Sequence, residues 1–155
     1  MIMAERYVFG EKTDIGSYVF TAERIVAFAT RFDPQPFHLD SDAARESLFG
    51  SLCASGWHTC AAWMRVFMAY WEEECTRLMR EGSSPPRLGP SPGFRNMQWL
   101  RPVFSGEEVH YSNTLLKSRP LASRPGMRLN TILSQGVIAD GTPVIRFEGS
   151  VLEFE

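Results

Sequence analysis

The strongest periodic signal in the chain runs from Ser55 to about Met79, where Trp57, Ala61, Met64, Phe67, Met68, Trp71, Cys75 and Leu78 recur at helical spacing. Over residues 56–71 only His58, Thr59 and Arg65 interrupt the apolar run, and charge gathers later, at Glu72, Glu73, Glu74, Arg77 and Arg80. The pattern predicts one long helix buried on most sides, with Trp63, Met64, Phe67, Met68 and Trp71 as core residues. Upstream of it, an arm or short strand is expected around residues 7–18, followed by a helix over 22–31 that Thr21 caps. The prolines in Asp33-Pro34-Gln35-Pro36 push the residues before them into extended geometry, so that helix must stop and a stiff loop must follow. Asp40 and Ser41 predict a cap for a further short helix over 42–47, closed by Phe49-Gly50.

Past a proline-rich breaker at 82–92 the periodicity changes from helical to alternating. Strands are expected at 94–100, 107–117, 127–139 and 142–154, with Asp140-Gly141 as a tight turn between the last two. In the final strand Ile145, Phe147 and Val151 share one face, while Arg146, Glu148 and Ser150 share the other. The expected architecture is α+β, a single domain over 1–155, with a curved antiparallel sheet around a long central helix. One flat layer cannot cover a helix that is apolar almost all round.

Composition is ordinary for such a domain, at 155 residues, 44% hydrophobic and 22% charged. The net charge of -2, with positive residues scattered, speaks against a nucleic-acid partner. No segment reaches the roughly 18 consecutive apolar residues of a membrane span. The N-terminus mixes charges into its apolar residues and lacks the pattern of a secretory signal, so the expected location is the cytoplasm. Cys53, Cys60 and Cys75 lack paired spacing and are expected as small packing residues.

Asp33 and His38, five residues apart in the stiffened loop, are the first chemical candidate. A carboxylate and an imidazole held close can divide the work of moving a proton, and the prolines reduce the reordering that would need. Equally, Asp33 can serve as a helix-end residue and His38 as a packing residue. Ser55-Gly56 opens the long helix, whose first amides lack internal acceptors and carry the positive end of its dipole. A glycine there would admit a ligand oxygen to the backbone, although an ordinary Ser cap explains the pair as well. A Cys60 nucleophile with His58 is rejected on helix geometry. His38, Asp40 and Asp42 lack the further ligands of a metal site, and Cys53 and Trp57 stand where a nucleophile elbow needs glycines.

The run Phe28-Ala-Thr-Arg-Phe-Asp33-Pro-Gln-Pro-Phe-His38-Leu-Asp40, with Phe49-Gly50 and Ala54-Ser-Gly56 after it, resembles the motif of the MaoC-like dehydratases and R-specific enoyl-CoA hydratases. The likeness extends to Leu100-Arg-Pro-Val-Phe-Ser-Gly-Glu107 and covers nearly the whole chain. The resemblance implies a hot-dog fold, a homodimer or higher homo-oligomer with sites at the subunit interface, and a coenzyme A thioester as substrate. Coenzyme A enters as part of that substrate, with no other cofactor and no metal. Asp33 and His38 match the pair that activates water and returns a proton to the alpha carbon. Gly56 matches the glycine whose amide receives the thioester oxygen. Ser55, Gln35 and Trp57 stand at neighbouring substrate-binding positions and depart from the residues usual there, as does Phe32, which implies a reshaped acyl pocket that some aromatic residues of the long helix could line. A thioesterase of the same fold usually carries a carboxylate on or near the central helix, and residues 56–71 contain none. A non-catalytic acyl-thioester binder is the third option.

Overall fold

The computed structural model describes residues 1–155. In chain order the elements are α1 (Met3–Arg6), β1 (Lys12–Val19), α2 (Ala22–Phe32), α3 (Pro36–Leu39), α4 (Ser41–Arg45), α5 (Gly56–Arg80), β2 (Arg87–Leu88), β3 (Gly93–Trp99), β4 (Glu108–Pro120), β5 (Met127–Val137) and β6 (Pro143–Phe154). One antiparallel sheet runs β1-β4-β5-β6, and β6 then pairs with β2 at one end and β3 along the rest. The sheet curls around α5, giving the α+β hot-dog arrangement expected from the sequence.

Local chemistry accounts for most boundaries. The Thr21 hydroxyl accepts the Arg24 amide at 3.2 Å and starts α2, and Asp40 accepts the Ala43 amide at 2.8 Å and starts α4. The β5-β6 hairpin turns at Asp140-Gly141, where Gly141 has φ 87° and the Asp140 carboxylate accepts the Thr142 amide. On β5, a Cβ at Gly136 would fall 2.8–3.0 Å from Val109, Tyr111 and Ile145, so this strand meets its neighbours only because the side chain is missing. Phe20, Ile25, Val109, Tyr111, Val144 and Ile145 form the tightest part of the core.

Three expectations need correction. The loop after Asp33 contains a helical turn, α3, because Pro36 at its first position already has the φ that a helix start requires. The breaker segment includes β2, which pairs with the end of β6. Most importantly, α5 is not buried on most sides. His58, Thr59, Ala62, Val66, Glu74 and Leu78 face inward, whereas Trp57, Met64 and Met68 are 53%, 47% and 53% exposed. One curved sheet covers one stripe of a helix, and the opposite stripe is left open.

The final strand also hides an acidic side chain. Glu153 is fully buried on the core face, where its carboxylate accepts the Met3 amide at 2.7 Å and the Asn130 amide at 2.8 Å. It fastens the N-terminal arm to the sheet.

Candidate active site

The catalytic candidates gather where three segments meet. α2 ends at Asp33, α3 carries His38, and residues 52–54 lead into α5. That lead-in is clamped by backbone hydrogen bonds from the Cys53 amide to Phe37 and from the Ala54 amide to Val103, at 3.3 and 2.8 Å. The clamp fixes the Cys53 carbonyl, and the His38 Nδ1–H donates to it at 2.6 Å. In the neutral ring this leaves Nε2 as an acceptor. Nε2 lies 3.4 Å from Asp33 Oδ2, so the two acceptors stand side by side, close enough for one water in front of them to donate to both.

Both side chains are largely buried, with relative exposures of 7% for His38 and 17% for Asp33. Burial pushes the Asp33 carboxyl up. Hydrogen bonding from Ser55 and Gln35 and the nearby His38 outweigh it, and the group is held below the usual carboxylate range. Burial raises the Cys53 thiol to about 11, so this cysteine is no ready nucleophile.

Of the expected binding residues, Gln35, Gly56 and Trp57 line the cavity beside Asp33 and His38, whereas Ser55 does not reach it. Gln35 lines the pocket, but its side-chain amide donates to Asp33 Oδ1 at 2.8 Å. Ser55 is buried, and its hydroxyl accepts the Trp57 amide at 3.2 Å as an N-cap. Trp57 is exposed at the rim, edge-on to Trp99 with ring centroids 5.0 Å apart. The Gly56 amide has no acceptor in the chain and stands at the positive end of a 25-residue helix. The structure gives a further reason for glycine: a Cβ here would lie 2.6 Å from the Trp99 ring, whose indole N–H donates to the Gly56 carbonyl at 2.9 Å. The side chain is absent to admit Trp99.

Asp33, Gln35, His38, Gly56 and Trp57 open into one cavity of about 460 Å³, which Trp99 and Arg101 also line. That is the size of an ordinary small-molecule site. Arg101 makes a two-pronged ion pair with Glu107 at 2.8 Å, and Glu107 also accepts the Phe104 amide, which explains the Leu100 to Glu107 motif as a wall brace. Trp99 and the Cys53 carbonyl were not foreseen as site residues. A lone aromatic on an edge strand has no distinguishing pattern, and a backbone carbonyl leaves no trace in residue type. No three His, Cys, Asp or Glu side chains converge in a way that could hold a metal ion.

The MaoC-like dehydratase from Rhodospirillum rubrum is 35% identical, its structure superposing with a TM-score of 0.81 over 100% of this chain and 98% of that one. The (R)-hydratase from A. caviae involved in PHA biosynthesis is 19% identical with a TM-score of 0.61, covering 98% of this chain and 100% of its own, and shares the fold. An uncharacterized Bacillus subtilis protein, YdeM, is 25% identical over 130 residues, 84% of each chain. A model of the MaoC like domain matches residues 8–135, and the chain belongs to that family of hydratases and dehydratases.

Proposed function

We propose that the protein catalyses reversible hydration of a trans-2-enoyl-coenzyme A thioester. The observation that carries this reading is the pairing of two acceptors, His38 Nε2 and Asp33 Oδ2, in the same cavity as the unpaired Gly56 amide. One water donates to both acceptors and attacks the beta carbon. Its proton passes to the pair as the carbon–oxygen bond forms. The electron pair of the double bond moves onto the thioester oxygen, where the Gly56 N–H and the helix dipole stabilise the negative charge. The pair then returns a proton to the alpha carbon. Dehydration follows the same path in reverse.

A thioesterase reading gains no support. The first carboxylates on α5, Glu72 to Glu74, lie about 24 Å or more along the axis from Gly56, and Glu74 is held by Arg6 and Arg77. The three unpaired cysteines fit the cytoplasmic setting expected from the sequence. Association of two copies fits the open stripe of α5, which continues into exposed Phe94 and Trp99 on the free edge of β3 and Leu100 just after it.

The direct test follows the conjugated-thioester absorbance of four-carbon and medium-chain trans-2-enoyl-CoAs with purified protein. Enzyme-dependent loss of that absorbance is expected. Full persistence across the panel, with free thiol released from saturated acyl-CoAs instead, would replace hydration with thioester hydrolysis.

A further inference from the structure

Helix ends fray, and the first amides of a helix have no internal acceptor, so an amide that must point in one direction there has to be held from outside the helix. In α5 the hold falls on backbone carbonyls of the first turn. The Gly56 carbonyl accepts the Trp99 indole N–H from β3 at 2.9 Å and the Thr59 hydroxyl at 2.6 Å. Three residues on, the Thr59 carbonyl accepts the Tyr111 hydroxyl from β4 at 2.9 Å. β5 and β6 separate β4 from β3 in the sheet, so the two sheet-borne ties reach the turn from well-spaced strands.

The other donors of the turn are engaged. The Ser55 carbonyl accepts the His58 and Thr59 amides at 2.9 and 3.3 Å, and the Ser55 hydroxyl accepts the Trp57 amide. Among the amides of residues 56–59 only that of Gly56 is left without an acceptor. The Ser55–Gly56 peptide thus has a carbonyl loaded by two donors and a free N–H, and the loading strengthens that N–H as a donor.

Burial does not explain the choice of tryptophan at 99. Its side chain is 46% exposed, and its ring is the reason a Cβ at 56 would have only 2.6 Å of room. A leucine or phenylalanine would also cover the helix end. What an indole adds is one donor in a fixed direction, and here that donor is spent on the Gly56 carbonyl. Thr59 is similar: it lines the catalytic cavity, is buried, and turns its hydroxyl back onto the same carbonyl.

Resting on the hydratase reading, we propose that Trp99 and Thr59 are positioning residues for the hydration: by holding the Gly56 carbonyl they fix the first turn of α5, and with it the direction of the Gly56 N–H relative to His38 and Asp33. Both act through the backbone of Gly56. An amide turned out of line loses its grip on the developing oxyanion, and a misplacement of about 1 Å costs up to about a hundredfold in rate. The ground-state thioester oxygen carries little charge and feels the change far less, so the effect falls on kcat rather than on KM.

Three variants test this. Trp99→Phe keeps a ring and removes the N–H, Thr59→Val removes the hydroxyl, and Thr59→Ser keeps it. On a four-carbon trans-2-enoyl-CoA, Trp99→Phe and Thr59→Val should each lower kcat by about tenfold with KM within about twofold of the wild type, and Thr59→Ser should recover most of the loss seen in Thr59→Val. A second readout is the carbonyl stretch of bound butyryl-CoA, isotopically labelled at the thioester carbonyl, in difference infrared spectra. The wild type should lower that frequency relative to the free thioester, and Trp99→Phe and Thr59→Val should move it back toward the free value. Wild-type kcat in both variants, or a fall in kcat with the carbonyl frequency unmoved, would overturn the proposal, because a merely structural role weakens the fold without touching the carbonyl. If no enoyl thioester is hydrated at all, the hydratase reading fails and the carbonyl frequency still decides: a lowering that both variants reverse supports the positioning role, and a frequency equal in all three proteins, or equal to that of the free thioester, refutes it.

Discussion

At the scale of single residues, the chemistry turns on which atoms are already engaged. His38 Nδ1 is tied to the Cys53 carbonyl, and Asp33 Oδ1 is tied to the Gln35 amide, so Nε2 and Oδ2 are the atoms left to face a substrate. Replacing Gln35 by Leu removes a donor that stabilises the charged carboxylate. The Asp33 carboxyl should rise, and the acidic limb of the kcat/KM profile should move to higher pH than in the wild type. His58 behaves oppositely. It is buried, stacked on Phe28 at 4.6 Å, with Nδ1 lacking any partner, and burial, Arg24 and His38 push it down to about 4. Because it takes up a proton more readily unfolded, its contribution to stability is complete above about pH 6.5 and is lost as pH falls toward 4, by about 3 kcal/mol in all. His58→Phe should therefore lose less melting temperature than the wild type between pH 7 and 4.5 in calorimetry. The sequence displayed the Asp33/His38 pair because proline-stiffened spacing is a local feature. It could not display the tie to the Cys53 carbonyl, which needs residues 52–54 to be clamped against Val103, about 50 positions away.

Among the elements, α5 matters most. Its extent was legible from periodicity to within a residue or two, as were three of the strands, while β4 runs three residues further than expected, to Pro120, since spacing of apolar residues reports on helix and strand faces better than on their ends. Which of its faces meets the sheet was not legible. Met64 and Met68 are as apolar as Val66 and Ala62, and only the curl of the sheet decides that the former stay open. α3 was missed because four residues are too few to show a period. The first turn of α5 offers a sharp test. Gly56→Ala would place a methyl group into the Trp99 ring, so it should lower the melting temperature and shift the helix start, reducing kcat by about tenfold or more. Trp99→Leu in the same chain should restore much of the lost stability, by removing the clash. A Gly56→Ala protein with undiminished melting temperature would show that the indole is not wedged there.

On the scale of the whole molecule, Met64 and Met68 on the open stripe of α5 and Phe94, Trp99 and Leu100 at the free edge of β3 are exposed on the side of the catalytic opening, and two copies meeting there would cover them. The wild type should sediment as a dimer and Met64→Glu with Met68→Glu as a monomer, with the far-ultraviolet circular dichroism spectrum preserved; a monomeric wild type, or a sedimentation coefficient unchanged by the substitutions, would contradict this contact. The central claim, that Asp33 and His38 act as one device on one water, is tested most directly by a double-variant cycle on hydration of a four-carbon trans-2-enoyl-CoA. Asp33→Asn and His38→Ala should each reduce kcat by about a hundredfold to ten-thousandfold, and the double variant should be little worse than either single one, since removing one partner already disables the pair. Fully multiplicative losses, or a single variant that retains wild-type kcat, would contradict it.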